Sequence, residues 1–313
     1  MKISIIIPTL NRLKEIEMTL NSLIELTIFP HQTIIIDQSD GKDTEELVKK
    51  SDYKRLNICY LHSEIKSWAL ARNYGIENIN KESDMVVFLD DDVLLEKDFL
   101  DQIDIFFLEH SKAKGGIANI ESPQRKVSLL KKIWLFLISW STKDQMCVTA
   151  GGFNILPFEN PKNITNVEWT SGCGMFFRKE LFDEGFRFEK QFMKYSLMED
   201  CFLSYSIQRK YPKSLFFIPK VKMVHCETPT ARIANKQRIY QNIIHRYYFI
   251  KKFEKSFLAY LRTMGIFCMF DVMQYKNLKV FTYYYKGLRY VFQHKKEIWS
   301  EYFNFNVFIF WEK

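Results

Sequence analysis

Residues 85–92 read MVVFLDDD, a run of apolar, β-prone residues that ends in Asp90, Asp91 and Asp92. Three adjacent carboxylates repel one another unless a cation sits among them. Hard oxygen donors at a strand end suit Mg2+ or Mn2+, ions that also grip phosphate oxygens. Acidic loop tips are common, so the weight of this cluster comes from its company. Asp37 closes a second apolar run, where a carboxylate accepts hydrogen bonds from a base or ribose, although Asp-Gln-Ser-Asp-Gly is equally good turn chemistry. Asn11 and Arg12 place donors after a third run. Glu199 and Asp200, in MEDCFL, form a second acidic element, suited either to taking a proton from a hydroxyl or to favouring a helix start through the macrodipole. His225 follows a further apolar run; its neighbour Cys226 invites Zn2+, but no other His or Cys stands at zinc-site spacing.

These groups need elements to hold them. Ile3 to Ile7, Thr33 to Ile36, Leu56 to Leu61 and Met85 to Leu89 have the length and composition of strands, and Leu13, Ile16, Leu20, Leu23 and Ile24 fall at helical spacing between the first two. Strand, helix, strand predicts an α/β fold with a parallel sheet covered by helices. Ligands of such sheets bind beyond the carboxyl ends of the strands, and those ends carry Thr9 and Asn11, Asp37, and Asp90 to Asp92. The clean alternation is lost from about residue 111. Residues 127–140, VSLLKKIWLFLISW, form an apolar helical stripe too short to cross a membrane, which is either buried or lies on a lipid or acceptor surface. No repeat or low-complexity linker divides the chain.

With 313 residues and 47% hydrophobic content, the chain can fill a sizeable core, which excludes a disordered protein. Six scattered cysteines without a Cys-x-x-Cys pair predict reduced thiols rather than a disulfide framework. The apolar stretch closed by Pro8 is too brief for a signal peptide, so a cytoplasmic location is expected. Charge is uneven: residues 231–313 carry +10 of a chain whose total is +8. The same tail holds 23 of the 50 aromatics, a mixture suited to an anionic membrane face, or to a helical subdomain with an aromatic core and solvated lysines. Without a recognised module in this basic tail, no nucleic acid is expected as a partner.

IIIPTLNR, IIIDQSDG, ALARNYGI, FLDDDV, WTSGCGMFFRKELF and MEDCFLSYSIQRKY, in that order over residues 3 to about 230, resemble the family 2 inverting glycosyltransferases. The resemblance implies a GT-A-type fold, a mostly parallel central sheet flanked by helices, here followed by a helical aromatic and basic C-terminal extension. It implies a donor half over 1–110, an acceptor and catalytic half over 111–230, and the extension over 231–313. The implied donor is a nucleotide-diphosphate sugar, with Mg2+ or Mn2+ as cofactor and a glycan or lipid-linked hydroxyl as acceptor.

By matching positions, Pro8, Thr9, Asn11 and Arg12 would shape the nucleotide pocket, Asp37 would hold the base, and Arg72 and Asn73 would face nucleotide and donor. Asp90 would support the turn, Asp91 would contact ribose or sugar, and Asp92 would be the main metal ligand. His225 stands where similar enzymes supply an imidazole ligand. Asp200 would be the general base and Glu199 its acceptor-binding or orienting neighbour. Gly172, Cys173 and Gly174 would let the chain approach an acceptor sugar, with Trp169 either stacked on that sugar or in the core. TAGGFNILPF, with Phe153, is a looser match to an acceptor-side loop, and Thr228 and Arg232 are placed to close over the diphosphate. The expected activity is inverting transfer for surface polysaccharide or glycolipid synthesis at the inner face of the cytoplasmic membrane. The alternative is a catalytically idle member that binds nucleotide or glycan within an assembly.

Overall fold

The computed structural model describes residues 1–121, 146–155, 160–192, 197–226 and 235–298. The chain forms two compact units, one of Met1–Arg125, Glu159–Lys190 and Glu199–Thr228, the other of Lys126–Phe158, Gln191–Met198 and Pro229–Lys313. The stripe over 127–140, together with Thr228 and Arg232, lies outside the described residues.

In the first unit, β1 (Ile3–Thr9), β2 (Gln32–Asp37), β3 (Ile58–His62) and β4 (Met85–Phe88) pair in parallel in the order β3-β2-β1-β4. Their connections carry α1 (Leu13–Leu23), α2 (Asp43–Val48) and α3 (Trp68–Glu77), as strand-helix-strand alternation requires. The third strand starts later than its apolar run suggests. Leu56 ends a short 3-10 helix, and Asn57, at φ +46°, turns the chain before Ile58. Next come β5 (Val93–Leu95), α4 (Phe99–Glu109), β6 (Gly115–Glu121), β7 (Thr165–Asn166), β8 (Met175–Arg178), α5 (Glu180–Asp183), α6 (Glu199–Lys210) and β9 (Leu215–His225). The sheet continues from β4 through β8, β6, β9 and β5, and β7 also pairs with β9. Beyond β4 it is mixed: β8 runs antiparallel to β4 and β6, β6 is parallel to β9, and β5 and β7 are antiparallel to β9.

Both faces of the sheet are covered, and the period of two in each strand decides what goes where. Ile3, Ile5 and Ile7 join Ile16, Leu20 and Leu23 of α1 and Phe99, Ile103 and Phe107 of α4 in one buried cluster. Ile6 meets α3, where a Cβ on Gly75 would lie 2.7 Å from its Cγ2. Only glycine lets that helix approach so closely. Between Ala118 and Asn119 of β6 the partner residue in β9 jumps from Ile218 to Lys222. Pro219 occupies the resulting bulge, where a missing amide hydrogen costs no ladder bond, and the Asn119 side chain donates to its carbonyl at 3.2 Å.

In the second unit, α7 (Asn235–Lys252), α8 (Phe257–Tyr275) and α9 (Lys279–Gln293) precede a short α10 (Lys295–Ile298). Ser256 caps α8, accepting a hydrogen bond from the Ala259 amide at 3.2 Å. Many of the tail's aromatics are core: Tyr247, Phe249, Tyr260 and Tyr284 are buried. The Tyr260 hydroxyl donates to the Ile243 carbonyl and the Tyr284 hydroxyl to Asp271, each at 2.8 Å. Arg246 donates to the Gly152 carbonyl at 2.9 Å and lies 4.0 Å from the centroid of Phe153. His245 is buried with Nδ1 2.8 Å from the Leu197 carbonyl, and burial pushes its pKa down to about 4. Among the described residues no helix is long and apolar enough to cross a membrane.

Phe88, the last residue of β4, packs edge-on against Phe177, Phe182 and Phe188 at 6.3, 5.7 and 5.4 Å between ring centroids. Truncating it leaves a cavity at the foot of the aspartate run. Phe88→Ala is therefore expected to lower stability by about 3–5 kcal/mol in chemical denaturation. A loss below about 1 kcal/mol would show that the site does not rest on this cluster.

Candidate active site

The parallel register sets Thr9 beside Asp37 at the carboxyl end of the sheet, and the aspartate run leaves β4 at the same edge. The three aspartates have different surroundings. Asp91 is buried: the Thr9 hydroxyl donates to its Oδ2 at 2.8 Å, and Arg12 Nε lies 3.0 Å from its Oδ1. A terminal nitrogen of Arg12 donates to Asp92 Oδ2 at 2.6 Å. The backbone of the run is stitched to α1 by one hydroxyl. Thr19 Oγ1 lies 2.7 Å from the Asp91 carbonyl and 3.1 Å from the Val93 carbonyl, and accepts from the Val93 amide at 3.0 Å. Burial pushes the Asp91 carboxyl up to about 7, against the pull of Arg12 and Thr9.

His225 reaches the run because β5 and β9 pair with Val93 opposite His225, and the Cys226 amide donates to the Asp92 carbonyl at 3.0 Å. Its Nε2 lies 2.9 Å from Asp92 Oδ1 and 3.7 Å from Asp90 Oδ2. A carboxylate oxygen of Asp90, a ring nitrogen of His225 and Cys173 Sγ all lie within 4.8 Å of one another. The oxygen and imidazole donors fit Mn2+, one of the two expected cations, whereas the sulfur beside them does not suit Mg2+.

The second acidic element joins the first through Arg72. This buried guanidinium on α3 donates to Glu199 Oε1 and to Asp90 Oδ1, each at 3.1 Å, and lies 5.6 Å from the centroid of Phe188. Next to Glu199, at the start of α6, both oxygens of Asp200 accept backbone amides, Gly172 on Oδ2 and Cys201 on Oδ1, each at 2.7 Å. Burial raises the pKa of both carboxyls. For Glu199 the Asp200 charge adds to the rise, while the two amides and Arg72 restrain that of Asp200.

Several residues stand elsewhere than the sequence suggests. Asp91 lies beneath the rim and Asp90 is the more open of the two, the reverse of a turn-supporting Asp90 and a ligand-facing Asp91. The Asn73 side chain gives and takes a hydrogen bond with the Phe188 backbone, both at 2.9 Å. Arg72 points at carboxylates. Trp169 is 2% exposed and belongs to the core, which leaves no ring face for a sugar. Gly174 serves packing, at φ +74° and with Met223 Sδ 2.6 Å from where a Cβ would be. Gly172 does lie at the acids, and a Cβ there would meet Arg72 at 3.3 Å and Asp200 at 3.5 Å.

Asp37 is fully buried, its Oδ1 bonded to the Ser39 amide and its Oδ2 to the Tyr60 hydroxyl, both at 2.9 Å. Asn11, at φ +55°, donates its amide to Ser39 Oγ at 2.7 Å, tying the two loops together. Pro8 lies beyond Ile6, the last residue of β1 that pairs with β4. Thr19, Ser39 and Tyr60 were not among the expected site residues. A threonine inside the apolar stripe of α1 was the one readable signal. A hollow of about 430 Å³ lined by Lys14, Glu17, Met18, Asn21, Ser22 and Leu94 contains none of these carboxylates.

Comparison with known proteins accords with this geometry. The family model described as glycosyl transferase family 2 matches residues 4–212. An uncharacterized glycosyltransferase of Rickettsia conorii is 29% identical over 212 residues, covering 67% of this chain and 30% of that protein. The chain thus spans less than a third of the curated relative it matches. Staphylococcus aureus TarS 1-349 in complex with UDP-GlcNAc is similar in structure, with a TM-score of 0.57 at 15% identity, over 96% of this chain and 78% of that one. GalNAc-T7 with UDP, GalNAc and Mn2+ gives a TM-score of 0.59 at 13% identity, over 80% and 47%. The fold is GT-A-like, a curled α/β sheet flanked by helices with further helices at the C-terminal end.

The Arg72 bridge can be tested directly. Arg72→Met leaves the buried Glu199 and the half-buried Asp90 without their shared cation and is expected to lower unfolding free energy in urea by about 3–5 kcal/mol. Arg72→Lys, with one ammonium in place of a fork, is expected to recover only part of that. Stability within about 0.5 kcal/mol of the parent for Arg72→Met would show that the bridge holds nothing.

Proposed function

This chain belongs to glycosyl transferase family 2, and we propose that it moves a sugar, with inversion, from a nucleotide-diphosphate sugar to a hydroxyl of a glycan or lipid-linked acceptor in cell-surface polysaccharide or glycolipid synthesis. The observation that carries this reading is the Asp90–Arg72–Glu199 bridge, which joins the aspartate run to the carboxylate pair that begins α6. On this reading residues 1–110 serve as the donor half and 111–230 as the acceptor half, followed by an extension over 231–313.

Asp92 and His225, with Asp90 at the rim, would hold the divalent cation, which would supply positive charge to the departing diphosphate. Thr9, Arg12 and Asp91 brace the loop from below, and Asp37, locked by Ser39 and Tyr60, shapes the base end. Asp200 receives the proton of the acceptor hydroxyl, and the Gly172 and Cys201 amides hold its carboxylate in one orientation. Glu199, fixed by Arg72, orients the acceptor.

Asp200→Asn is expected to cut transfer by about 10²-fold or more while leaving calorimetric affinity for the nucleotide-diphosphate sugar unchanged. Because a base works ionised and burial raises the Asp200 pKa, the acidic limb of the rate profile is expected above the ordinary carboxylate value of 3.8. Wild-type turnover in Asp200→Asn would move the base elsewhere. Donor binding without turnover across a panel of sugar donors would favour the idle, ligand-binding alternative.

We also propose peripheral contact with an anionic membrane, at the inner face of the cytoplasmic membrane, through the second unit. Leu258, Met269 and Met273 are exposed along α8, Leu278 just before α9, and Phe281 and Tyr285 along α9. Lys276, Lys279, Lys286 and Arg289 are exposed on the same hairpin, and no acidic residue occurs over 272–296. Apolar side chains rimmed by cations suit anionic headgroups over an acyl layer. The full chain is expected to sediment with phosphatidylglycerol vesicles at low salt and not with phosphatidylcholine vesicles. Lys279→Glu with Lys286→Glu is expected to weaken that binding about tenfold or more, at about 1 kcal/mol per charge removed. Unchanged sedimentation of the double variant would remove this face from the proposal.

A further inference from the structure

Cys173 lies in WTSGCGMFF, where sequence spacing pairs it with no other ligand, yet the fold brings its sulfur to the carboxylate and imidazole of the cation site. We infer that Cys173 is a ligand-capable third donor of that site, which therefore takes borderline and soft divalent ions such as Zn2+, Co2+ or Cd2+ in preference to Mg2+. This rests on the reading that Asp90, Asp92 and His225 hold a cation.

The placement is built by the backbone on either side. The Gly172 amide is tied to Asp200 Oδ2 at 2.7 Å, and the Gly174 amide donates to the Phe88 carbonyl at 2.9 Å, so the cysteine between them is held at the base of the aspartate run. Cys173 Sγ, an Asp90 oxygen and a His225 ring nitrogen fall within 4.8 Å of one another; Asp90 and His225 are half-buried and Cys173 is buried. Cys226 follows His225 in the chain but is not in that cluster. An oxygen, a nitrogen and a sulfur donor form a set that Mg2+ does not match, whereas Zn2+, Co2+ and Cd2+ bind all three. On coordination the thiol releases its proton to solvent and the sulfur lone pair is donated to the ion, with no change of oxidation state.

The test is a titration of the full chain with Cd2+ and Co2+, read by thiolate-to-metal charge-transfer absorption in the ultraviolet, alongside Mn2+ binding read by electron paramagnetic resonance. The expected result is a charge-transfer band that saturates with a single ion, is lost in Cys173→Ser and is kept in Cys226→Ser. Affinity for Cd2+ is expected to fall by about tenfold or more in Cys173→Ser while that for Mn2+ changes by less than about threefold. Mn2+ binding with no thiolate band in the wild type, or a band that survives in Cys173→Ser, would overturn the inference and leave the cation reading standing. Binding of neither Mn2+ nor Cd2+ would overturn both. If Cys173→Ser does not fold, the band is expected to be kept in Cys226→Ser and lost in His225→Asn, and its loss in Cys226→Ser would overturn the inference.

Discussion

A buried guanidinium between carboxylates from two distant motifs is the constraint on which the rest of the first unit depends. Arg72 is almost without solvent contact, so its charge is tolerable only while Asp90 and Glu199 stay within hydrogen-bond reach. Those acids lie on a loop and at a helix start that are more than a hundred residues apart in the chain. Electrostatics thus does what no local element can: it fixes the distance between the aspartate run and the carboxylate pair that begins α6. Arg12 repeats the device one layer deeper, spanning Asp91 and Asp92. Adjacent carboxylates are kept together here by sharing guanidiniums, and the most open of them, Asp90, remains at the rim.

The sheet supplies the rigidity that such charge pairing needs. β1, β2 and β4 end at one edge because they are parallel, and their ends are then tied across by hydroxyls and amides rather than by apolar contact. Thr19 reaches from α1 to two carbonyls of the aspartate run, and Asn11 is bonded to Ser39 across adjacent loops. Each tie is worth about 1 kcal/mol net. Together they hold a loop whose own charges favour opening. Beneath it Phe88 and its aromatic neighbours give a dry floor, which keeps these polar contacts out of competition with water.

Much of this was legible in the sequence, and the reasons for the remainder are physical. Period and composition located the first strands and helices, and the acids at strand ends marked the edge that matters. Periodicity states which face a side chain takes but not which strand lies beside it. Hence the pairing of β5 with β9, which delivers His225 to Asp92, could be stated only as a likeness to other enzymes. Nor could spacing rank the exposure of Asp90 and Asp91, since that depends on Thr9 and Arg12 closing over the second from another strand. Asn73 and Trp169 stand in motifs associated with ligands yet are consumed by the fold, one clamping Phe188 and the other filling the core. Composition alone left the aromatic tail divided between core and surface, and both are present: Tyr260 and Tyr284 are buried while Phe281 and Tyr285 are not.

The bulge at Pro219 has a consequence for how such a chain can change over generations. It lets β9 slip forward against β6 before it meets β5, and that slip decides which residue stands opposite Val93. With the pairing before the bulge kept, losing one codon in Pro219, Lys220 or Val221 would draw the strand back by one residue and set Cys226 in place of His225 opposite Val93. A short stretch without any chemistry of its own therefore works as a selector. Lineages could gain or lose an imidazole beside the aspartates by insertion or deletion there, with every reactive residue left as it was.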